Sequence, residues 1–290
     1  MAHRLKFIPL SSLAFALAIA APARAQANTV ADLAGRTHVH GLAFDRAEPA
    51  NILIATHHGL MRAAADGSVS EISDSRDDFM GFSPHPTDAA ILFASGHPKG
   101  GGNLGFIKSN DAGKSWTQIS PGANGPVDFH QLAVSPSNPN VFYGAYGSIQ
   151  TSSDGGATWT IAGEAPPKLI DLTVSPADPS VVYAATETGL MISRDGAKSW
   201  DVLIADVPVT TVELTADGTI YAFVPGRGLL KATETTPNFE TIGQGPDGAG
   251  YILHLAANAK SPERLVAVTG ELVIVVSSDS GATWKTLGAK

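Results

Sequence analysis

Histidine is the residue through which this chain can do chemistry. The 290 residues hold nine histidines and no cysteine. That absence excludes disulfides, thiolate zinc sites, iron–sulfur clusters and a cysteine nucleophile. His38 and His40 flank Val39, and on a strand such a pair sets two imidazoles on one side, about 6.5–7 Å apart along the chain. His57 and His58 follow in ATHHGL, His97 in SGHPKGGGNLG and His130 in DFHQLAV. Neutral imidazole is the commonest ligand of zinc, copper, nickel and iron. A neighbouring carboxylate, Asp78 or Asp128, can complete such a site or orient a ring from behind. The expectation is a pocket of His38, His40, His57, His58, His97 and His130 with Asp78 or Asp128, holding copper or zinc and no organic cofactor. Without metal, the same rings would cap strands, or the pocket would take a small organic ligand.

These residues must be positioned by a repeat. All four tryptophans close one octet: SNDAGKSW ending at Trp116, SSDGGATW at Trp159, SRDGAKSW at Trp200 and SSDSGATW at Trp284. The octet aspartates Asp111, Asp154, Asp195 and Asp279 are spaced by 43, 41 and 84 residues, so one worn copy belongs near residue 237. Another sits upstream around Asp66. A second phrase keeps the same register: QLAVSPSNPNVFYGA matches DLTVSPADPSVVYAA, with looser versions from Gly41 and Gly81. Each phrase reads as a strand, a Pro/Asn/Asp turn and a second strand. A period near 42 with short strands predicts an all-β propeller of six blades over residues 37–288, with seven as the alternative count. Ring closure through Thr29 to Leu33, or through the last blade's own strands, stays open.

Aligning Phe44, Phe82 and Val134 puts His40, Asp78 and His130 at one position of blades 1, 2 and 3. His38, Arg76 and Asp128 stand two residues earlier, whereas later blades carry Ile170 and Val212. The inner strand of a blade begins at one rim, and the loop between its second and third strands returns there. Six histidines thus fall on that upper rim, while His85 in SPHP belongs to the opposite face. His254 opens blade 6, Met80 packs in the core, and Gly100 to Gly105 is a rim loop that lacks the ending of a phosphate-binding loop.

The octet S-x-D-x-G-x-x-W resembles the Asp-box, or BNR repeat, and the likeness covers nearly all of the chain after its first residues. That superfamily includes sialidases, sortilin ectodomains and photosystem II assembly factors. The resemblance runs closest to exported bacterial glycosyl hydrolase-like proteins without the sialidase catalytic residues. It implies that Ser and Asp of each octet bond the outer hairpin and that the Trp buries against the blade, a structural role on the face opposite most active sites. Ala197 replaces the usual glycine of the third octet. The resemblance carries no catalytic residue here: only Arg36, Arg76 and Arg227 could approach the upper rim, and the sialidase R-I-P signature is absent. Tyr146, Glu187 and Glu213 form at most a generic acid/base set.

Arg4 and Lys6, the apolar run Phe7 to Ala20 and Ala23-Arg24-Ala25 read as a signal peptide over residues 1–25. Residues 26–36 lead in to a single domain over 37–290. Cleavage would leave 16 Lys and Arg against 27 Asp and Glu, a net charge of −11. So acidic a chain argues against nucleic acid as a partner, and no later run is long enough to cross a membrane. The sequence therefore predicts a periplasmic or secreted, non-catalytic metal-binding propeller. A scaffold recognising a protein on its upper rim and a glycosidase-type hydrolase are the alternatives.

Overall fold

The computed structural model describes Met1 and residues 29–246 and 250–289. The expected signal peptide lies, but for Met1, outside those residues. Six four-stranded antiparallel sheets follow one another along the chain, each an up-and-down meander. They are β1 to β4 (Val39–Phe44, Ile52–Thr56, Gly59–Ala63, Val69–Glu71) and β5 to β8 (Asp78–Pro84, Leu92–His97, Phe106–Ser109, Thr117–Ser120). Next come β9 to β12 (Gln131–Val134, Phe142–Tyr146, Ser148–Ser152, Thr160–Glu164) and β13 to β16 (Leu169–Val174, Val182–Thr186, Gly189–Ser193, Asp201–Ala205). The last two are β17 to β20 (Thr211–Leu214, Thr219–Val224, Gly228–Thr233, Thr236–Gly243) and β21 to β24 (Ile252–Ala257, Leu265–Thr269, Ile274–Ser277, Lys285–Thr286). The first strands touch in sequence around a ring, and β21 meets β1. The blade count is six.

Apolar side chains on both faces of each blade drive this arrangement. Strands such as β2 (ILIAT) are buried throughout, because each blade is sandwiched between two neighbours. The core accordingly divides into six clusters, one per blade interface. Ring closure uses the last blade's own four strands. The lead-in instead forms a single helical turn, α1 (Val30–Leu33), and Thr29 bridges Ser68 of blade 1. Val30 and Leu33 then pack with Leu287 in the cluster between blades 1 and 6.

The four octets form the turns between third and fourth strands with one hydrogen-bond pattern. In the second, Ser152 Oγ donates to Asp154 Oδ1 and accepts from the Gly156 amide, while Thr158 gives its amide and hydroxyl to Asp154. Bonds of this kind, led by the Ser or Thr hydroxyl, hold Asp111, Asp154 and Asp279 down to about 2. Trp116, Trp159 and Trp284 each donate Nε1 to the carbonyl of the octet glycine. Ala197 occupies that place in the third octet at φ +67°, and there Trp200 Nε1 is buried without a partner. The worn copies occupy the same turns: Asp66 Oδ1 caps Ser68, and Thr233 pairs with Thr236.

Candidate functional site

The upper-rim residues separate into two triads, not one pocket. His40, His57 and Asp78 present donor atoms within 4.8 Å of one another, and so do His97, Asp128 and His130. The first bridges blades 1 and 2; the second bridges blades 2 and 3. Across the first interface His57 Nδ1 lies 2.6 Å from Asp78 Oδ2, and His40 Nε2 lies 3.4 Å from Oδ1. Those last two atoms are both buried and neither has a hydrogen-bond partner.

Local backbone features explain why His40 reaches this place. Val39 pairs with Thr56 but Gly41 pairs with Ala55, so a bulge falls on His40 and re-aims its side chain. The bulge recurs in blades 4 and 6 between Leu169 and Asp171 and between Ile252 and His254, where Ile170 and Leu253 fill it. Only blade 1 puts an imidazole there. The turn Thr56-His57-His58-Gly59 is closed by Thr56 Oγ1, which accepts from the His58 amide and donates to Gly59 O. Blade 4 repeats the turn with Glu187 in place of His57, paired with Lys168. His38 completes the aromatic cluster, its ring 6.5 Å from that of His40 and 5.1 Å from that of His57. Burial pushes His40 down to about 4, outweighing the attraction of Asp78, so its ring is neutral above that pH.

In the second triad one carboxylate oxygen serves two rings. Asp128 Oδ2 lies 2.9 Å from His97 Nε2 and 2.7 Å from His130 Nε2. The Asp128 hydrogen bond raises His130 above the ordinary imidazole value. The glycine-rich loop is tied down: His97 Nδ1 meets Gly102 O at 2.8 Å, and the Lys99 amide donates to Asp77.

One of the six rim histidines departs from the sequence expectation, and His254, which opens blade 6 as expected, has a structural role. His58 turns away from both triads and bonds Thr37 Oγ1 through Nδ1 at 3.0 Å. His254 lies within the ring, where Nε2 donates to Val39 O at 3.2 Å, and burial pushes it down to about 4. It is a peg for the backbone between His38 and His40. His85 sits in its turn as expected, its Nδ1 accepting from the Thr87 and Asp88 amides, and Met80 is buried. No motif marks Gly96, yet its positive φ lets β6 lie close against β5 beside both triads.

A channel of about 650 Å³ runs inside the first strands, and of the eight proposed site residues only His40 and His130 line it. Asp171 and Glu213 also face it. Asp171 Oδ2 accepts from Thr211 Oγ1 and the Val212 amide, and Glu213 Oε1 accepts from the Ala257 amide, so each carboxyl staples its blade to the next. Tyr146 and Glu187 have other partners, Asn103 and Lys168, so the generic acid/base set has no common contact. Arg76 pairs with Glu71.

Burial raises Glu213 to about 8 and Asp171 to about 6. An acid whose folded value exceeds its unfolded value of about 4.3 keeps its proton only when folded, so stability falls as pH rises between the two. Glu213→Gln retains an acceptor for the Ala257 amide and removes this dependence. The variant should gain about 3 kcal/mol over the parent on going from pH 5 to pH 8. Urea denaturation at both pH values checks this, and parallel pH profiles would show Glu213 ionised in the fold.

Fold and site together define a β-propeller with histidine–carboxylate clusters at one mouth. No protein-family model and no curated protein matches the chain. Solved structures do. A GH74 enzyme of Niastella koreensis superposes with TM-score 0.63 at 18% identity, over 90% of this chain and 47% of that one. This chain therefore spans about half that enzyme's length. XC5397, a gluconolactonase of Xanthomonas campestris, gives TM-score 0.64 at 13% identity, over 83% and 86% of the two chains. YCF48 bound to D1 peptide gives 0.53 at 16% identity, over 86% and 81%. At these identities the likeness establishes the propeller fold alone.

Proposed function

We propose that this protein is an exported metal-binding propeller of the Asp-box superfamily, taking Cu(II) or Zn(II) at His40, His57 and Asp78. One observation carries the reading: His40 Nε2 and Asp78 Oδ1 are buried, unpartnered and 3.4 Å apart beside a third donor. An unsatisfied buried polar atom is costly, and two that face one space are what a cation would satisfy. Tetrahedral ligands at 2.0–2.1 Å from zinc lie about 3.3 Å apart, close to this spacing. Affinity should follow the order Cu(II) above Zn(II). Export rests on the signal-like residues 1–25 and superfamily membership on the four octets.

The test is calorimetric titration of untagged, chelator-stripped protein. Zn(II) should bind with Kd about 1 μM or tighter, and His57→Ala should weaken this site at least about 100-fold, whereas His85→Ala should not change it. No binding below about 1 mM would overturn the reading. A protein partner on the same rim is the second reading, favoured by the likeness to a propeller solved with a bound peptide and by exposed Tyr146.

A further inference from the structure

The protons available around Asp128 do not match its contacts. Gly102 O is a carbonyl and only accepts, so His97 Nδ1 carries a proton. In the neutral ring Nε2 then presents a lone pair, and it does so 2.9 Å from Asp128 Oδ2. His130 Nε2 approaches the same oxygen at 2.7 Å. The Asp128 side chain is only 5% exposed, and its other oxygen has no partner. A buried carboxylate set against a lone pair requires positive charge between them. His130 can donate its own Nε2–H to Asp128, so the unmatched pair is His97 Nε2 and Asp128 Oδ2; a proton on His97 would match that pair alone, whereas a divalent ion would draw on all three donors together.

We infer that His97, Asp128 and His130 bind a transition-metal ion of their own, distinct from the ion proposed at His40, His57 and Asp78. The inference extends that reading from one ion to two and shares its coordination chemistry. The three donors lie within 4.8 Å of one another, and a tetrahedral ion needs them about 3.3 Å apart, so small side-chain rotations suffice. Outer contacts steady two of the donors: Gly102 O sets the His97 ring, and the Phe129 amide, next in the chain after Asp128, bonds Ser95 Oγ and ties down the backbone there. The two triads have no ligand in common. They are joined through one cross-strand pair, Asp78 on β5 opposite His97 on β6, which makes them neighbours on a single hairpin.

Two variants of the full chain separate the sites. His97 and His130 side chains are 42% and 63% exposed, so replacing both with alanine should leave the fold intact, which circular dichroism verifies. Untagged, chelator-stripped protein is dialysed against Zn(II) and the bound metal counted by mass spectrometry, with Co(II) d–d absorption reporting coordination. The wild type should hold two ions, the His97→Ala/His130→Ala variant one, and His57→Ala one. A wild type with one ion that only His57→Ala loses overturns this inference and leaves the first site standing. One ion lost only with His97 and His130 supports the present site and removes the other. One ion lost in both variants means a single shared site, and no ion at all removes both; either result overturns the inference.

Discussion

Trp159→Ala should lower the unfolding free energy by about 3–5 kcal/mol and leave Zn(II) binding untouched. Its side chain is 7% exposed and closes the cluster between blades 2 and 3. The indole lies 4.8 Å from the Phe129 ring and 5.3 Å from the Phe106 ring. Nε1 donates to both Gly156 O and Ser120 Oγ, so truncation removes apolar contacts and leaves two acceptors with weaker partners. Trp200→Ala is the internal comparison. That ring is only half-buried and its Nε1 has no partner, so its loss should cost clearly less. Denaturant melts of both variants, with metal titration of the folded forms, decide the matter. A Trp159→Ala protein that melts like the parent but loses metal would reverse the assignment of the octets to folding and of the rim to binding.

Gly96→Ala should damage the fold and both triads together. Gly96 has φ +123°, and a Cβ there would sit 1.9 Å from Asp78 O and 3.0 Å from Met80 N. Backbone atoms cannot yield as a side-chain end would, so β6 must move away from β5. The cost should be about 3 kcal/mol or more, combining left-handed strain with the collision. Because Asp78 pairs with His97 across this hairpin, the shift displaces a ligand of each triad. Zn(II) stoichiometry should fall to zero in any Gly96→Ala protein that still folds. Gly100→Ala is the control, since that glycine has open space around its Cβ direction and an ordinary φ. Retention of two ions and the parental Tm by Gly96→Ala would mean that the close approach does not position the ligands.

The amino-acid sequence alone determined the ring and its polarity. Octet spacings of 41 and 43 residues, and strand–turn–strand phrases in phase with them, encode blades through contacts made within each repeat. The same register sorted the histidines: His85 fell on one face and the groups around His40 and His130 on the other. Local periodicity carries this much because strand pairing and turn chemistry are short-range. Tertiary structure decided the rest. The bulge that aims His40 at Asp78 also occurs where Ile170 and Leu253 stand, so no residue type announces it. Adjacent His57 and His58 go to Asp78 and to Thr37, partners 21 residues away in opposite directions along the chain. His254 resembles a rim histidine in sequence but lies under Val39, because closing the ring brings blade 6 against blade 1. The division of one expected pocket into two triads has the same cause. Each carboxylate faces an interface between blades, and which imidazoles meet it depends on the curvature of the ring, which side-chain spacing along one strand does not encode.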